Sequence, residues 1–256
     1  PSVFYLFAVL GFIWCALWPR VKGEKREFKA GGAAPAPPEP ADVGRAPPVP
    51  WAAFLRCRPV WAVICAHFCY NWGYYTLLAW LPSYFELSLG LNVESSSLLT
   101  LIPYIAMTLM TPLVGPVADG LVAGGWSVTA VRKLCQGVSF AGPALCMIAC
   151  AALTPLAAAG PSAGPVTTAI VALLSVAFAL GAWARAGLYC NHQDLSPKYA
   201  GALLGLSNTA GALPGILGVT AVGYLLDKTS SWGASLFYPA ALTQCIGLII
   251  YTAFAS

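Results

Sequence analysis

Long apolar runs recur along this sequence and limit the folds that it can adopt more than any other feature. A helix needs about 20 apolar residues to cross a hydrocarbon core that is ~30 Å thick. Only helices and closed barrels satisfy every backbone polar group in lipid, and these runs are too long and too evenly apolar for barrel strands. We therefore predict an all-α membrane protein with about seven transmembrane helices. The predicted spans lie near residues 1–18, 59–83, 97–118, 134–154, 165–188, 201–226 and 234–254.

The composition and the placement of charge agree with this fold class. Apolar residues make up 59% of the chain and charged residues only 9%, which is far outside the range of soluble domains. If the first long connection lies on the inner side, every Lys and Arg except Lys228 falls on that side, as the positive-inside rule requires. The net charge of +4 follows from this bias, and we expect no nucleic-acid partner.

The spans are arranged as one helix, a long polar connection and six closely spaced helices. The connection is rich in Pro, Ala and charge, and it predicts a flexible tether between two lobes. We predict the last helix of an N-terminal lobe at 1–18, a central inner-side linker at 19–58 and a C-terminal six-helix lobe at 59–256. Because the first span begins at Pro1 without an initiator Met, we expect the chain to be a fragment whose partners are the rest of the N-terminal lobe and membrane lipid.

A polar stripe marks the second predicted span. His67, Tyr70, Asn71 and Tyr74 recur at helical spacing, which puts them on one face near the middle of the bilayer. Polar groups at that depth either hydrogen-bond to neighbouring helices or line a wet cavity. For the stripe as a whole, we predict a cavity lining.

The connection after the third span contains a helix-end pattern. Gly115 and Asp119 are four residues apart, and Arg132 begins the next span. The pattern resembles the helix-end motif of the major facilitator superfamily, and it predicts a latch in which Asp119 pairs with Arg132. The alternative is a solvated loop that carries a few charges.

A cluster of polar residues lies between the fifth and sixth spans. It runs from Arg185 to Lys198 and includes Asn191, His192 and Asp194, which we place in a short inner turn. Asp194 with Ser196 and Pro197 would cap and start the next helix, a structural role that ranks above direct substrate contact.

The helix that follows contains two Gly-x-x-x-Gly pairs, at 201 and 205 and at 211 and 215. Small residues of this kind let helices approach closely, either as simple tight packing or as a pliable helix at a moving interface. Asn208 lies between the pairs, polar and deep, and is the predicted substrate contact of this helix.

Three segments carry a resemblance to a known family: "NWGYYTLLAWLPSYF", "GWSVTAVRK" and "GLYCNHQDLSPKYAGALLGLSNTAG". Together they look like the anion:cation symporter family, and they are most similar to its plastid branch of anion and sodium-dependent phosphate transporters in plants and algae. The resemblance implies a major facilitator fold, a central anion site between two lobes, alternating access, and coupling to Na⁺ or H⁺. It also implies a plastid envelope or thylakoid membrane.

One position departs from the family pattern. Just before Asn-Trp, plastid relatives have His and vesicular glutamate relatives have Arg, whereas this chain has Tyr70. A phenol donates a hydrogen bond but supplies no positive charge, so the family's substrate choice does not transfer directly through this position.

We weighed a seven-helix receptor and a membrane-embedded enzyme as alternatives to a transporter. A receptor has no need of the long Pro-rich tether, and an enzyme would need nucleophiles, carboxylates or metal ligands converging at one depth. The nine cysteines, including Cys65 with Cys69 and Cys146 with Cys150, are interpreted as packing residues, and no metal site and no cofactor are predicted.

The resulting hypothesis is the C-terminal half of a symporter for a small inorganic or organic anion such as phosphate. Substrate-binding roles are assigned to Tyr70, Asn71, Tyr74 and Asn208. Gating roles are assigned to Asp119, Arg132, Asn191, His192 and Asp194.

Overall fold

The structure, a computed structural model, describes residues 2–22, 48–157 and 163–255. Within these ranges the chain is almost entirely helical and contains no strand. The α-helices are α1 (Ser2–Lys22), α2 (Trp51–Arg56), α3 (Arg58–Leu87), α4 (Val93–Ala123), α5 (Val128–Ala157), α6 (Ala163–Gly181), α7 (Leu188–Leu195), α8 (Ala200–Thr229) and α9 (Tyr238–Phe254).

Five segments of the described chain are long and apolar enough to cross a membrane: Val93–Ala123, Val128–Ala157, Gly164–Leu195, Pro197–Thr229 and Gly233–Phe254. They confirm the prediction of a multi-pass, all-α membrane protein. Helix α3 has 30 residues, or roughly 45 Å at ~1.5 Å per residue, and is therefore long enough to span as well, although its polar stripe lowers its hydropathy. The apolar part of α1 is shorter and covers Phe4–Trp18.

The fifth predicted span differs from the sequence-based prediction in its inner half. Instead of ending near 188 in a turn, the segment continues from α6 through a 3₁₀ turn at Ala182–Arg185 into α7, which reaches Leu195. The polar residues that suggested a turn are helical, and Asn191 and His192 are buried. Their hydrogen bonds to neighbouring helices allow them to remain inside a packed bundle.

Contacts divide the chain into two units, Pro1–Pro47 and Pro48–Ser256. In the first unit, the structure describes α1. The middle of the predicted linker, residues 23–47, lies outside the described residues, and its last part forms the short helix α2.

In the second unit, α3 packs mainly against α8 and α9, while α5 packs against α6 and α9 and α4 packs against α6. The largest core cluster lies among these helices and buries Tyr84, Phe85, Met147 and Phe237. The Tyr84 hydroxyl shares a hydrogen bond of 2.9 Å with Thr154 Oγ1, so this large polar ring is satisfied inside an apolar core. Cys69, Cys146 and Cys150 are buried as well, as predicted for packing residues.

Helix α8 approaches α3 closely because it has glycine at the contact points. A Cβ atom at Gly211 would lie 2.8 Å from His67 Cδ2 and 2.9 Å from Asn71 Nδ2, and one at Gly218 would lie 2.9 Å from Thr76 Cγ2. Gly211 of the second Gly-x-x-x-Gly pair thus serves tight packing together with Gly218, while a Cβ at Gly215 would make only an ordinary contact of 3.5 Å with Tyr75. The first pair does not, since a Cβ at Gly201 or Gly205 would meet nothing within 4 Å.

Candidate functional site

A small cavity of about 40 Å³ lies inside the second unit, among α3, α4, α5, α6 and α9. A water molecule needs about 10 to 15 Å³ of such space, so the cavity has room for a few waters. Its lining combines apolar side chains with polar groups. The polar side chains of the lining are Tyr70, Tyr74, Ser139 and Gln244.

Tyr70 and Tyr74 belong to a cluster of phenol rings. Their rings are stacked, with centroids 6.4 Å apart and planes 7° apart. Tyr189 of α7 lies edge-on to Tyr70 at 6.4 Å, and Tyr75 packs against Tyr74 at 5.6 Å. A phenol hydroxyl both donates and accepts hydrogen bonds, so this cluster can bind a polar or anionic group without carrying charge itself.

Gln244 of α9 gives the cavity a polar wall. Its side chain is 7% exposed, and its Oε1 atom has no hydrogen-bond partner within the described part of the chain. Gly73 makes room for this amide, because a Cβ there would lie 2.7 Å from Gln244 Nε2. A buried amide oxygen without a protein partner is best satisfied by water in the adjacent cavity.

The helix break at Ala182–Arg185 borders the cavity. The break follows Gly181, which lines the cavity and whose carbonyl oxygen accepts a hydrogen bond of 3.2 Å from Ser139 Oγ. A 3₁₀ stretch in the middle of a span is a common place for a functional hinge, because its hydrogen bonds are poorer than those of an α-helix. Arg185 ends this turn, with its guanidinium carbon 4.9 Å from the centroid of the Tyr189 ring.

Two histidines share one serine hydroxyl beside the cavity. Ser207 Oγ of α8 lies 3.0 Å from His67 Nδ1 and 2.7 Å from His192 Nε2. His67 Nε2 is in turn 3.4 Å from the Tyr189 hydroxyl. These contacts connect α3, α7 and α8 through buried polar groups.

Asn71 also points to α8. Its Nδ2 donates a hydrogen bond of 2.8 Å to the Gly211 carbonyl oxygen. The polar stripe of α3 is therefore divided: Tyr70 and Tyr74 line the cavity, while His67 and Asn71 bind the neighbouring helix.

An ion pair joins α5 to α7. Arg132 Nε lies 2.6 Å from Asp194 Oδ2, and Arg132 Nη1 donates a hydrogen bond of 3.1 Å to the Ala186 carbonyl oxygen. The sequence-based prediction that Arg132 pairs with Asp119 is therefore wrong, because Arg132 pairs with Asp194. Asp119 is exposed on α4, and Asp194, which had been expected to cap the next helix, instead binds Arg132.

Further hydrogen bonds hold α7 against α5 and α9. Asn191 Nδ2 donates to the Tyr251 hydroxyl at 2.8 Å, and Gln136 Oε1 accepts from the Leu188 backbone N–H at 3.0 Å. The Gln136 contact satisfies one of the backbone donors left free at the start of a helix. Helix α7 is consequently connected to four other helices, α3, α5, α8 and α9, by polar side chains.

The predicted residues do not form one constellation. Asn208 is exposed on α8, outside the cavity lining that contains Tyr70 and Tyr74. Arg132, Asp194, Asn191 and His192 do gather, all of them around α7.

Several residues of this region were not singled out from the sequence. Tyr189 lies one turn after Arg185, a spacing that is visible in the sequence, and Arg185 interrupts an otherwise apolar run. Ser207 and Gln244 gave no signal, because single polar residues in apolar runs are common and their partners are distant along the chain.

This chain has relatives among known protein families and curated proteins. The profile of the Major Facilitator Superfamily matches residues 1–219. The chain is 38% identical to "Probable anion transporter 6, chloroplastic" of Arabidopsis thaliana, covering 100% of this chain and 48% of that protein. It is 39% identical to the "Ascorbate transporter, chloroplastic" and 37% identical to "Sodium-dependent phosphate transport protein 1, chloroplastic" of the same plant, covering 100% of this chain in both and 46% and 48% of those proteins.

The chain spans about half the length of the curated relatives that it matches. Nothing in these matches supports the seven-helix receptor, and the relatives are transporters, not enzymes. The helical fold, the membrane-spanning segments and the family profile lead to one conclusion: the chain belongs to the major facilitator superfamily of membrane transporters.

Proposed function

We propose that this chain is the C-terminal half of a secondary transporter that moves a small anion by alternating access. The observation that carries the proposal is the similarity along the whole chain to proteins named as transporters of anions, of ascorbate and of phosphate. These names differ in the substrate that they give, but all of them name an anion. The choice among phosphate, ascorbate and another organic anion is left to experiment.

The phenol cluster is the proposed contact surface for the anion in this half. Tyr70 and Tyr74 supply hydroxyl donors beside the cavity, and the 3₁₀ turn at Ala182–Arg185 lies next to them. Neutral donors orient an anion, and the hinge-like turn lets α7 move relative to α6 when the site opens or closes. Asn71 and Asn208 remain proposed substrate contacts, but they lie outside the cavity lining that contains Tyr70 and Tyr74.

Gating of the inner side is proposed to depend on α7. Arg132 with Asp194 connects α5 to α7, His192 connects it to α8 through Ser207, and Asn191 connects it to α9. All three contacts lie within one unit, so the proposal requires α7 itself to move during the transport cycle and to rearrange them. Asp119 remains a proposed gating residue, although it is exposed on α4 and Arg132 binds Asp194 instead.

We further propose that the parent protein functions in a plastid envelope or thylakoid membrane and couples the anion to Na⁺ or H⁺. The names of the relatives support a plastid location, and one of them specifies sodium dependence. The proposed partners of this half are membrane lipid and the N-terminal lobe of the same protein.

Uptake into proteoliposomes tests the proposal. The full-length parent protein is reconstituted, and uptake of labelled phosphate, ascorbate and glutamate is measured under an imposed Na⁺ gradient, an imposed H⁺ gradient and no gradient. We expect saturable uptake of one of the three anions, driven by one of the two gradients. Protein-free vesicles and competition by the unlabelled anion are the controls.

Absence of saturable uptake for all three anions would contradict the proposal if the protein is shown to be folded and inserted. Uptake without any gradient dependence would contradict symport while leaving anion transport in place.

Tyr74 is expected to contribute to substrate binding. Tyr74→Ala in the full-length protein should raise the KM for the transported anion roughly tenfold, which corresponds to the loss of one hydrogen bond to a charged group. Asn208→Ala should act in the same direction, since Asn208 is the predicted contact from α8. The matched control is Tyr224→Ala, because Tyr224 is 62% exposed on α8 and is not part of the cavity lining.

Uptake kinetics and the yield of folded protein are measured for each variant. An unchanged KM in both Tyr74→Ala and Asn208→Ala would remove these two residues from the site.

A further inference from the structure

Arg185 is a charged residue inside a membrane-spanning segment. It belongs to the apolar segment Gly164–Leu195 and lies about 15 Å from the end at Leu195, at a rise of ~1.5 Å per residue. The charge pattern of the sequence predicts an inner connection at Arg185, but in the structure this residue lies in the 3₁₀ turn between α6 and α7. Charged residues are rare within membrane-spanning helices, so a cation in this segment is a candidate functional residue.

The guanidinium of Arg185 has no counter-charge in the described part of the chain. The ion pair there joins Arg132 to Asp194, and no carboxylate of the described residues lies within salt-bridge distance of Arg185. No hydrogen bond from its side chain to a described residue is formed either. Arg185 is nevertheless exposed on the surface of this unit, so its charge is available to a ligand.

The surroundings of Arg185 connect it to the phenol cluster. Its guanidinium carbon lies 4.9 Å from the Tyr189 ring centroid, and the Tyr189 ring lies edge-on to Tyr70. Stacking on Tyr189 restricts the guanidinium while leaving its N–H groups free to donate. A planar guanidinium binds an oxyanion through two parallel hydrogen bonds, and nearby phenols add neutral donors.

We propose that Arg185 binds the transported anion and supplies the positive charge of the site in this half of the protein. The inference rests on the proposed function of anion transport. Tyr70 itself carries no charge, and Arg185 lies on the neighbouring helix segment, with one tyrosine ring between the two positions.

A purely structural role for Arg185 would change different measured quantities. A cation near the C-terminal end of α6 also interacts favourably with the helix dipole, which would stabilise the fold without touching the anion. Loss of such a role would lower the yield and the melting temperature and leave the KM unchanged. The experiment therefore measures both.

The first arm uses uptake by the full-length protein in proteoliposomes, with whichever of labelled phosphate or ascorbate the parent transports. Arg185→Gln should raise the KM about tenfold to a hundredfold, as expected for the loss of a charged hydrogen-bond donor. Arg185→Lys keeps the charge but cannot form two parallel hydrogen bonds, so its KM should lie between those of the parent and Arg185→Gln. Arg56→Gln is the matched control, since Arg56 is exposed on α2 and far from the cavity lining, and should leave the KM unchanged.

The second arm adds Tyr70→Arg to Arg185→Gln. Restoring a cation at position 70 should recover part of the affinity that Arg185→Gln loses, whereas a structural role of Arg185 would give no recovery. A parent that transports the anion together with an unchanged KM in Arg185→Gln would overturn this inference and leave the proposed function intact.

The third arm needs no transport and separates the two failures. Phenylglyoxal modification of Arg185 is followed by mass spectrometry in the purified full-length protein, with and without inorganic phosphate or ascorbate at saturating concentration. Slower modification of Arg185, but not of Arg56, in the presence of either anion supports the inference even if no uptake is found. An unchanged rate of Arg185 modification with both anions overturns the inference. Because this arm uses the unsubstituted protein, its result counts even if Arg185→Gln is too unstable to assay.

Discussion

Gly211→Ala is expected to destabilise the protein strongly, because the new methyl group has no room on the α3 side of α8. A Cβ at this position would lie 2.8 Å from His67 Cδ2, 2.9 Å from Asn71 Nδ2 and 3.1 Å from His67 Cγ. Neither neighbour can move freely: His67 is held by Ser207, and Asn71 donates to the carbonyl oxygen of Gly211 itself. Relief of the clash requires α8 to move away from α3, which breaks both buried hydrogen bonds.

We expect a cost of about 2 to 3 kcal/mol, combining overpacking with the loss of these two buried hydrogen bonds. In the full-length protein, whose relatives are about twice as long as this chain, that corresponds to a melting temperature lower by roughly 2 to 6 °C. The measurement is the melting temperature of the full-length protein in detergent, together with the monodisperse fraction.

Gly205→Ala is the matched control for this prediction. It makes the same chemical change on the same helix, at a position where a Cβ meets nothing within 4 Å. Because alanine favours helix over glycine by up to about 1 kcal/mol, Gly205→Ala should be as stable as the parent or more stable. Equal melting temperatures for the two variants would show that α8 does not approach α3 as closely as the structure has it.

The helical fold was predictable because apolar runs of membrane length permit little else. The helix bounds were not, and several helices extend beyond their predicted spans; α4, for example, begins at Val93 and not at 97. Hydropathy detects the part of a helix inside the hydrocarbon, whereas the helix itself continues until a cap ends it. At α4 this cap is Asn92, whose side-chain oxygen accepts a hydrogen bond of 2.8 Å from the Ser95 backbone N–H.

The site was predictable only in part. Helical periodicity grouped Tyr70 with Tyr74, and both line the same cavity. Periodicity also grouped His67 and Asn71 with them, but these two bind α8, because the neighbour that faces each side of a helix depends on packing between segments about 140 residues apart. For the same reason, the partner of Arg132 was assigned to the nearby Asp119 and not to Asp194, which is 62 residues away.

Arg132 and Asp194 should prove strongly coupled in stability. Arg132→Ala removes a hydrogen-bonded ion pair and the bond to the Ala186 carbonyl oxygen, so we expect it to cost about 2 to 3 kcal/mol. Asp194→Ala should cost less, since Arg132 keeps its bond to Ala186. The side chains are 15% and 28% exposed, which places the pair above the ~0 to 1 kcal/mol of a fully exposed salt bridge.

A double-mutant cycle measures the coupling directly. Arg132→Ala with Asp194→Ala should cost about as much as Arg132→Ala by itself, giving an interaction energy of roughly 1 to 2 kcal/mol from melting curves of the four proteins. The same cycle with Asp119 in place of Asp194 is the control and should be additive, because Arg132 does not bind Asp119. Coupling to Asp119 but not to Asp194 would restore the pairing predicted from the sequence.

The uptake rates of these variants separate a latch from a structural brace. Helix α7 follows the 3₁₀ turn at Ala182–Arg185. Arg132 binds Asp194 near the end of α7 and the carbonyl oxygen of Ala186, the residue directly after the 3₁₀ turn. If the pair holds one state of an alternating cycle, Asp194→Asn should change the rate of uptake per folded molecule, since it shifts the balance between states. If the pair serves only the fold, uptake per folded molecule should stay constant while the yield and the melting temperature fall.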